Sequence, residues 1–377
     1  MKLNKQANLA LTRRIFTAAG ILLAGLIFEQ TASAQQICSG VEGRRVTYLA
    51  QVTNSLDSRV DPGNDNHLVR LRGTLHYRRT IFETLRNKPV LIFNHGHEQG
   101  RGEACAIVEY FTEKGWVVFT PLRRGHFLNS DATERSTGIY IDDFVRYCSR
   151  SVSEAEDPDE PHSLTHLYRS SGFCRPNAPT DDADALRSAV ELFYLRQQRI
   201  DVRDAITYIK SLGAISGEFA TTGKLADPNK IVIMGHSYGG ALTVMTNAHD
   251  YGQSVAIDIA GAELSWENAD EPYWKKDLQD AMREQKRPIF LLQAQNGKYL
   301  TPTRSLFAIG VRNEFLVQAS IFPPVTSCAD GDGDGLCDDD ATMTVFKDIH
   351  SKFVGVSSQV ATWGPTVLDF AKRHPRP

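Results

Sequence analysis

Residues 231–240, IVIMGHSYGG, constrain the fold of this chain more than any other stretch. The apolar run predicts a buried strand, and Gly235 and Gly239 then flank a serine in a Gly-x-Ser-x-Gly pattern. At a strand-to-helix junction this pattern is typical of a nucleophile elbow, a turn so tight that side chains at either glycine position would collide with it. We therefore expect Ser237 to stand clear of the sheet at the end of a strand.

The rest of the chain alternates short apolar runs with helix-like segments, as in a mostly parallel sheet flanked by helices. Strands are expected in RVTYLAQV, VRLRGTLHYR, PVLIFNHG, WVVFTPLRR, KIVIMGHS, SVAIDIAGA, PIFLLQAQ and FLVQASIF. Helices are expected over residues 103–114, 180–212, 239–249, 271–285 and 363–373. One domain, residues 35–377, accounts for this pattern.

Two polar segments interrupt the alternation. Residues 127–180 are too long for an ordinary crossover and are interpreted as a lid or cap insertion. Residues 327–340 form an acidic loop flanked by cysteines, in which Asp330 to Asp338 follow calcium-loop spacing. Position 12 of such a loop is Ala341 instead of an acid. A structural calcium and a plain solvated loop both remain open, so no metal or other cofactor is assigned.

Residues 1–34 have the pattern of a signal peptide. Basic residues precede the apolar run 15–28, and Ala32-Ser33-Ala34 offers a cleavage site before Gln35. The run is shorter than the roughly 20 apolar residues of a membrane span. We expect a periplasmic or secreted protein without a stable membrane anchor after cleavage. The pair Arg13-Arg14 leaves both the twin-arginine and the general secretory route open.

Charge and cysteine content narrow the class of protein further. Residues 1–34 hold four of the 42 Lys and Arg and one of the 45 Asp and Glu, so the remaining chain has a net charge of −6. This charge argues against nucleic acid as a partner. An even number of cysteines in an exported chain predicts disulfides. Proximity in sequence favours the pairs Cys148–Cys174 and Cys328–Cys337, which leaves Cys38 and Cys105 to each other, and other connectivities stay open.

Backbone amides are the expected anion-binding groups near Ser237. The N–H of Tyr238 lies at the first turn of the helix that follows the elbow and supplies one oxyanion donor. The second donor should come from the loop after an earlier central strand, where His95-Gly96-His97 lets the backbone pass close to the serine. The N–H of His97 is the candidate.

The general base should be a histidine that follows the serine, because the usual chain order in this architecture is Ser, acid, His. Three histidines follow Ser237. His249 belongs to the elbow's own helix and His374 to a proline-rich tail. His350, just before the last predicted helix, is therefore the candidate base.

These motifs resemble the alpha/beta hydrolases, and more closely their dienelactone hydrolase-like and prolyl oligopeptidase-like members. The resemblance spans about residues 71–374 and rests on FNHGHEQG, PLRRGHFLNS, IMGHSYGG, IDIAGAELSW, LLQAQNGKYLTP and TWGPTVLDFAKRH. It implies the alpha/beta-hydrolase sandwich, hydrolysis through an acyl-enzyme, Ser237 as nucleophile and His350 as general base.

The chain departs from the family at the acid that orients the histidine. The family has Asn-Asp before the Thr-Pro motif, and this chain has Asn296-Gly297. Glu263, just past the strand after the elbow, is the preferred replacement. Asn296, Asp270, the acidic loop and no acid at all remain open, and Asp258 is disfavoured because alternation places it within the strand.

The favoured function is an exported serine hydrolase that cleaves carboxylic esters of small molecules. A serine peptidase of prolyl oligopeptidase type and a catalytically impaired binding protein are the alternatives. Arg123, Arg124 and His126 lie at or just after the end of a predicted strand and are expected either to meet an acidic substrate group or, more commonly, to tie the lid to the sheet.

Overall fold

A computed structural model of the chain describes eleven separate parts of it. They are residues 38–51, 68–79, 83–96, 105–123, 198–215, 223–261, 266, 272–294, 300–314, 316–322 and 352–377. The chain divides into two compact units, Met1–Ala34 and Gln35–Pro377. The predicted signal peptide, lid and acidic loop all lie outside the described residues.

The strands and helices of the second unit alternate along the chain. The strands are β1 (Glu42–Gln51), β2 (Leu68–Tyr77), β3 (Lys88–Asn94), β4 (Val117–Leu122), β5 (Ala226–His236), β6 (Val255–Ile259), β7 (Ile289–Ala294) and β8 (Val317–Phe322). The helices are α1 (Cys105–Glu113), α2 (described over residues 198–211), α3 (Tyr238–Asn247), α4 (Pro272–Arg283), α5 (Thr301–Arg312) and α6 (Ser357–Arg373).

All eight strands join one sheet in the order β1-β2-β4-β3-β5-β6-β7-β8. β2 is antiparallel to both of its neighbours, and every pair from β4–β3 to β7–β8 is parallel. A mostly parallel sheet with helices on both faces and an elbow after β5 is the alpha/beta-hydrolase fold. The fold class predicted from the sequence is therefore confirmed.

The central strands are apolar on both faces because each face is covered. In β5, Ile231 and Ile233 pack with α2, α3, α4 and α5, whereas Val232 and Met234 pack with α1 and α6. Such double burial explains continuous apolar runs where a half-exposed sheet would show alternation. Since parallel strands share one carboxyl edge, the loops after β3, β5, β6 and β7 all leave the sheet on the same side.

A disulfide fastens the start of the described chain to helix α1. It joins Cys38, just before β1, to Cys105, the first residue of α1, across a separation of 67 residues. This pairing confirms the one predicted for these two cysteines. The other four cysteines lie outside the described residues.

Candidate active site

Ser237 occupies the turn between β5 and α3. Its backbone adopts φ 56° and ψ −122°, a left-handed conformation that costs a non-glycine residue on the order of 1–3 kcal/mol. The strain is held by hydrogen bonds on both sides, from the Ser237 N–H to the Ile259 carbonyl at 2.9 Å and from the Ala241 N–H to the Ser237 carbonyl at 3.1 Å. The half-buried serine is thereby fixed at the carboxyl edge of the sheet.

Close backbone approach explains the two glycines of the motif. A Cβ on Gly235 would overlap the carbonyl group of Gly239, and a Cβ on Gly239 would overlap the carbonyl oxygens of Asn94 and His95. The first contact closes the elbow. The second presses the start of α3 against the end of β3, so the elbow and the predicted oxyanion loop form one packed unit.

Tyr238 begins α3, and its side chain is buried at 5% exposure. The first N–H groups of a helix have no partner within the helix and point out of its amino end, where the dipole favours an anion. The Tyr238 amide thus lies where the sequence predicts the first oxyanion donor. The predicted second donor, the amide of His97, lies outside the described residues.

Arg123 follows β4 and is buried at 1% exposure. Its Nη1 donates to the carbonyl of His95 at 2.5 Å and its Nη2 to the carbonyl of Gly96 at 2.6 Å. The same guanidinium lies 5.0 Å from the centroid of the Tyr238 ring. The sequence expectation of a substrate or lid contact did not anticipate these backbone partners, which depend on which strands are neighbours.

Asp258 is a buried acid beneath the elbow. It lies in β6 opposite Gly235, at 1% exposure, and its Oδ1 has no hydrogen-bond partner among the described residues. Burial raises the pKa of this carboxyl to about 7, while a hydrogen bond from the Gly261 N–H acts in the opposite direction. A Cβ on Gly240 or Gly261 would overlap Oδ1, so this carboxyl occupies space left by two missing side chains.

Two of the three histidines that follow Ser237 lie just after the carboxyl ends of α3 and α6. His249 follows the last turn of α3, with Nε2 2.6 Å from Nη1 of Arg199. Burial lowers the pKa of His249, and the Arg199 charge adds to this effect. His374 ends α6 with its ring against Phe370.

The carboxyl-terminal residues are tied to the amino edge of the sheet. The Arg376 N–H donates to the Asn229 carbonyl at 2.8 Å, early in β5, and the Arg376 side chain pairs with Asp250 at 3.0 Å. Neither His249 nor His374 is placed to reach Ser237, as the sequence reasoning expected.

His350, Glu263 and Asn296 lie outside the described residues, and so does the alternative acid Asp270. The chain just beyond His350 is anchored in the core. Residues 352–355 are helical, and Trp363 of α6 donates from Nε1 to the Phe353 carbonyl at 3.0 Å. The described part of the chain contains no group of three or more side chains suited to hold a metal ion.

No protein-family model matches the sequence, and no curated protein is significantly similar to it. Solved structures with a similar chain path include an esterase from Pyrococcus furiosus (11% identity, TM-score 0.47, covering 89% of this chain and 93% of that one). An acylaminoacyl peptidase from Pyrococcus horikoshii has 15% identity and a TM-score of 0.44, and the match covers 93% of this chain and 44% of that one. An acetyl xylan esterase from Paenibacillus sp. R4 has 11% identity and a TM-score of 0.41, with 89% and 85% covered. The fold assignment rests on the strand order and the elbow described above.

Proposed function

We propose that this chain of alpha/beta-hydrolase fold is a serine hydrolase that cleaves carboxylic esters of small molecules through an acyl-enzyme. The observation that carries the proposal is the strained backbone of Ser237 at the amino end of α3, closed by glycines on both sides. Such strain persists only where the surrounding structure holds it, and it presents the hydroxyl at a helix terminus suited to an anion.

In the proposed reaction, the Ser237 hydroxyl attacks the acyl carbon while His350 takes its proton. The negative charge that develops on the carbonyl oxygen is stabilised by the N–H groups of Tyr238 and His97. Collapse of this tetrahedral intermediate breaks the bond to the alcohol, which receives the proton from His350. Water then attacks the acyl-enzyme by the same steps and releases the acid.

Glu263 is proposed to orient the His350 ring and to offset its charge when protonated. It follows the last residue of β6 by four positions in the sequence, and β6 ends at the carboxyl edge where Ser237 lies. Asp258 is less suited because it lies inside β6 and is buried against the glycines of the elbow.

An exported location is part of the proposal. It is supported by the signal-like residues 1–34 and by the Cys38–Cys105 disulfide, since disulfides persist mainly in oxidising compartments.

Replacing the nucleophile tests the proposed function directly. We expect Ser237→Ala to abolish both labelling by a fluorophosphonate probe and hydrolysis of p-nitrophenyl acetate, since the bond-forming oxygen is removed. Ser211→Ala is the matched control, because Ser211 is exposed at the end of α2 and its hydroxyl donates to the Tyr208 carbonyl of the same helix. Undiminished hydrolysis by Ser237→Ala would refute the proposal. Assays with short peptides beside esters separate an esterase from a peptidase.

A further inference from the structure

We propose that Arg123 is the positioning residue of the oxyanion hole, holding the loop after β3 and the start of α3 in one fixed relation. The inference rests on the proposed function, because it assigns Arg123 a part in that reaction. Arg123 does not itself touch the substrate in this proposal. It acts through the backbone groups and the ring that it contacts.

The sheet delivers Arg123 to the level of the elbow. β3 lies between β4 and β5 and is parallel to both, with Asn94 opposite Gly235. Continuing the β3–β4 register beyond its last pair sets Gly96 level with Arg123. The guanidinium therefore leaves its strand beside the loop that carries the predicted second oxyanion donor.

The two hydrogen bonds of Arg123 determine the orientation of consecutive peptide units. Nη1 and Nη2 hold the carbonyls of His95 and Gly96 at 2.5 and 2.6 Å. The Gly96 carbonyl and the amide of residue 97 belong to one planar unit, and in a trans unit the C=O and the N–H point in opposite directions. A Gly96 carbonyl held on the guanidinium therefore fixes the plane of the peptide unit that follows Gly96, and with it the direction available to the predicted second donor.

The same guanidinium restrains the other predicted donor. It lies 5.0 Å from the centroid of the Tyr238 ring, a geometry in which a cation is attracted to the ring face. Close to this contact, the backbone of Gly239 packs against the carbonyls of Asn94 and His95. One side chain thus contacts the segments of both donors, whose mutual geometry decides how well an oxyanion is bound.

The arrangement requires the shape of arginine. Its planar fork presents two donors in fixed directions, whereas lysine concentrates its charge at one point on a flexible stem. Burial at 1% exposure leaves little room for water to replace a lost donor. Arg123→Lys therefore keeps the charge and removes the fork.

The test compares Arg123→Lys with wild type, after counting intact sites by fluorophosphonate titration of Ser237. We expect kcat/KM per titrated site on p-nitrophenyl acetate to fall about 10- to 100-fold, as for a displaced oxyanion donor. The affinity for a trifluoromethyl ketone, which forms a tetrahedral oxyanion on Ser237, should fall by a similar factor. The affinity for the matching methyl ketone, which stays a planar carbonyl, should not change.

Arg287→Lys is the matched control for a structural arginine. Arg287 pairs with Asp250 at 2.7 Å, just before β7 and at the sheet edge opposite the elbow. This variant should lose stability and some titratable sites while each remaining site keeps the wild-type rate. If Arg123→Lys behaves in the same way, with unchanged trifluoromethyl ketone affinity per site, the positioning role is wrong.

Failure of the proposed function gives a different result, because wild type itself would then not be labelled at Ser237. If Arg123→Lys does not fold, Arg123→Gln is used in the same assays. The glutamine side-chain amide still offers two N–H donors in one plane. Failure of both variants to fold would overturn the inference and assign Arg123 a role in folding instead.

Discussion

Burial removes the water that stabilises a carboxylate, and Asp258 shows this effect within β6. With its pKa raised to about 7, this carboxyl stays protonated in the folded chain at pH values where it is ionised in the unfolded chain. Between pH 4 and pH 7 the folded state therefore binds the additional proton. Stability contributed by this group is complete at low pH and is lost as the pH rises through that range.

We expect Asp258→Asn to be insensitive to this titration. The shift from 3.8 to about 7 corresponds to roughly 4 kcal/mol between pH values below 3.8 and above 7, and to roughly 3 kcal/mol between pH 5 and pH 8. The stability of the variant relative to wild type, measured as the difference between their free energies of unfolding, should thus be higher at pH 8 than at pH 5. Urea denaturation at both pH values measures this difference. An equal difference between variant and wild type at the two pH values would show that Asp258 is ionised in the folded chain.

At the same scale, sequence reasoning located Ser237 and the need for glycines around it, because the elbow is a local motif. It also excluded His249 and His374, whose positions follow from their helices. It did not predict the partners of Arg123, since these depend on the register in which β3 pairs with β4, which no local motif reveals. His97, His350 and Glu263 stay predictions.

Among the elements, the contact between β3 and α3 is the one on which the site geometry depends. Gly239→Ala would place a methyl group on the carbonyl oxygens of Asn94 and His95, and neither backbone oxygen can move without shifting the end of β3. We expect a stability loss of about 3 kcal/mol. Labelling by fluorophosphonate should slow at least 100-fold because a displacement of about 1 Å suffices for such a loss.

Gly213→Ala is the control for this substitution. Gly213 is exposed, and a Cβ there meets nothing within 4 Å. Urea unfolding and the labelling rate of Gly213→Ala should match wild type. A Gly239→Ala protein with wild-type stability would contradict this prediction. It would show that the end of β3 can move away from α3 with no loss of stability.

Helices were predicted less completely than strands. α5 was not expected, since Pro302 and Gly310 weaken its helical signal and its stability comes from packing of Leu306 and Ile309 on the sheet. α6 begins at Ser357, six residues before the predicted start. Pro365 lies inside this helix, where a proline is normally unfavourable, and the packing of the helix on the sheet carries it through that residue.

For the molecule as a whole, the Cys38–Cys105 disulfide is the covalent link that the described residues show between distant parts of the chain. Replacing both cysteines by serine should lower the free energy of unfolding by about 2–4 kcal/mol, because the unfolded chain loses a 67-residue loop restraint. Urea denaturation of the double variant beside wild type measures the loss. Identical midpoints and slopes for the double variant and wild type would show that the disulfide does not stabilise the folded chain.

The anchoring of Arg376 to Asn229 has a practical consequence for handling the protein. Asn229 lies near the start of β5 and Ser237 directly after its end, so the carboxyl-terminal residues are held at the end of this strand away from Ser237. A surface attachment at the carboxyl-terminal residues would consequently orient the molecules with Ser237, the proposed nucleophile, directed away from the surface. Preparations immobilised at that end should leave Ser237 as accessible to a fluorophosphonate probe as it is in the free protein.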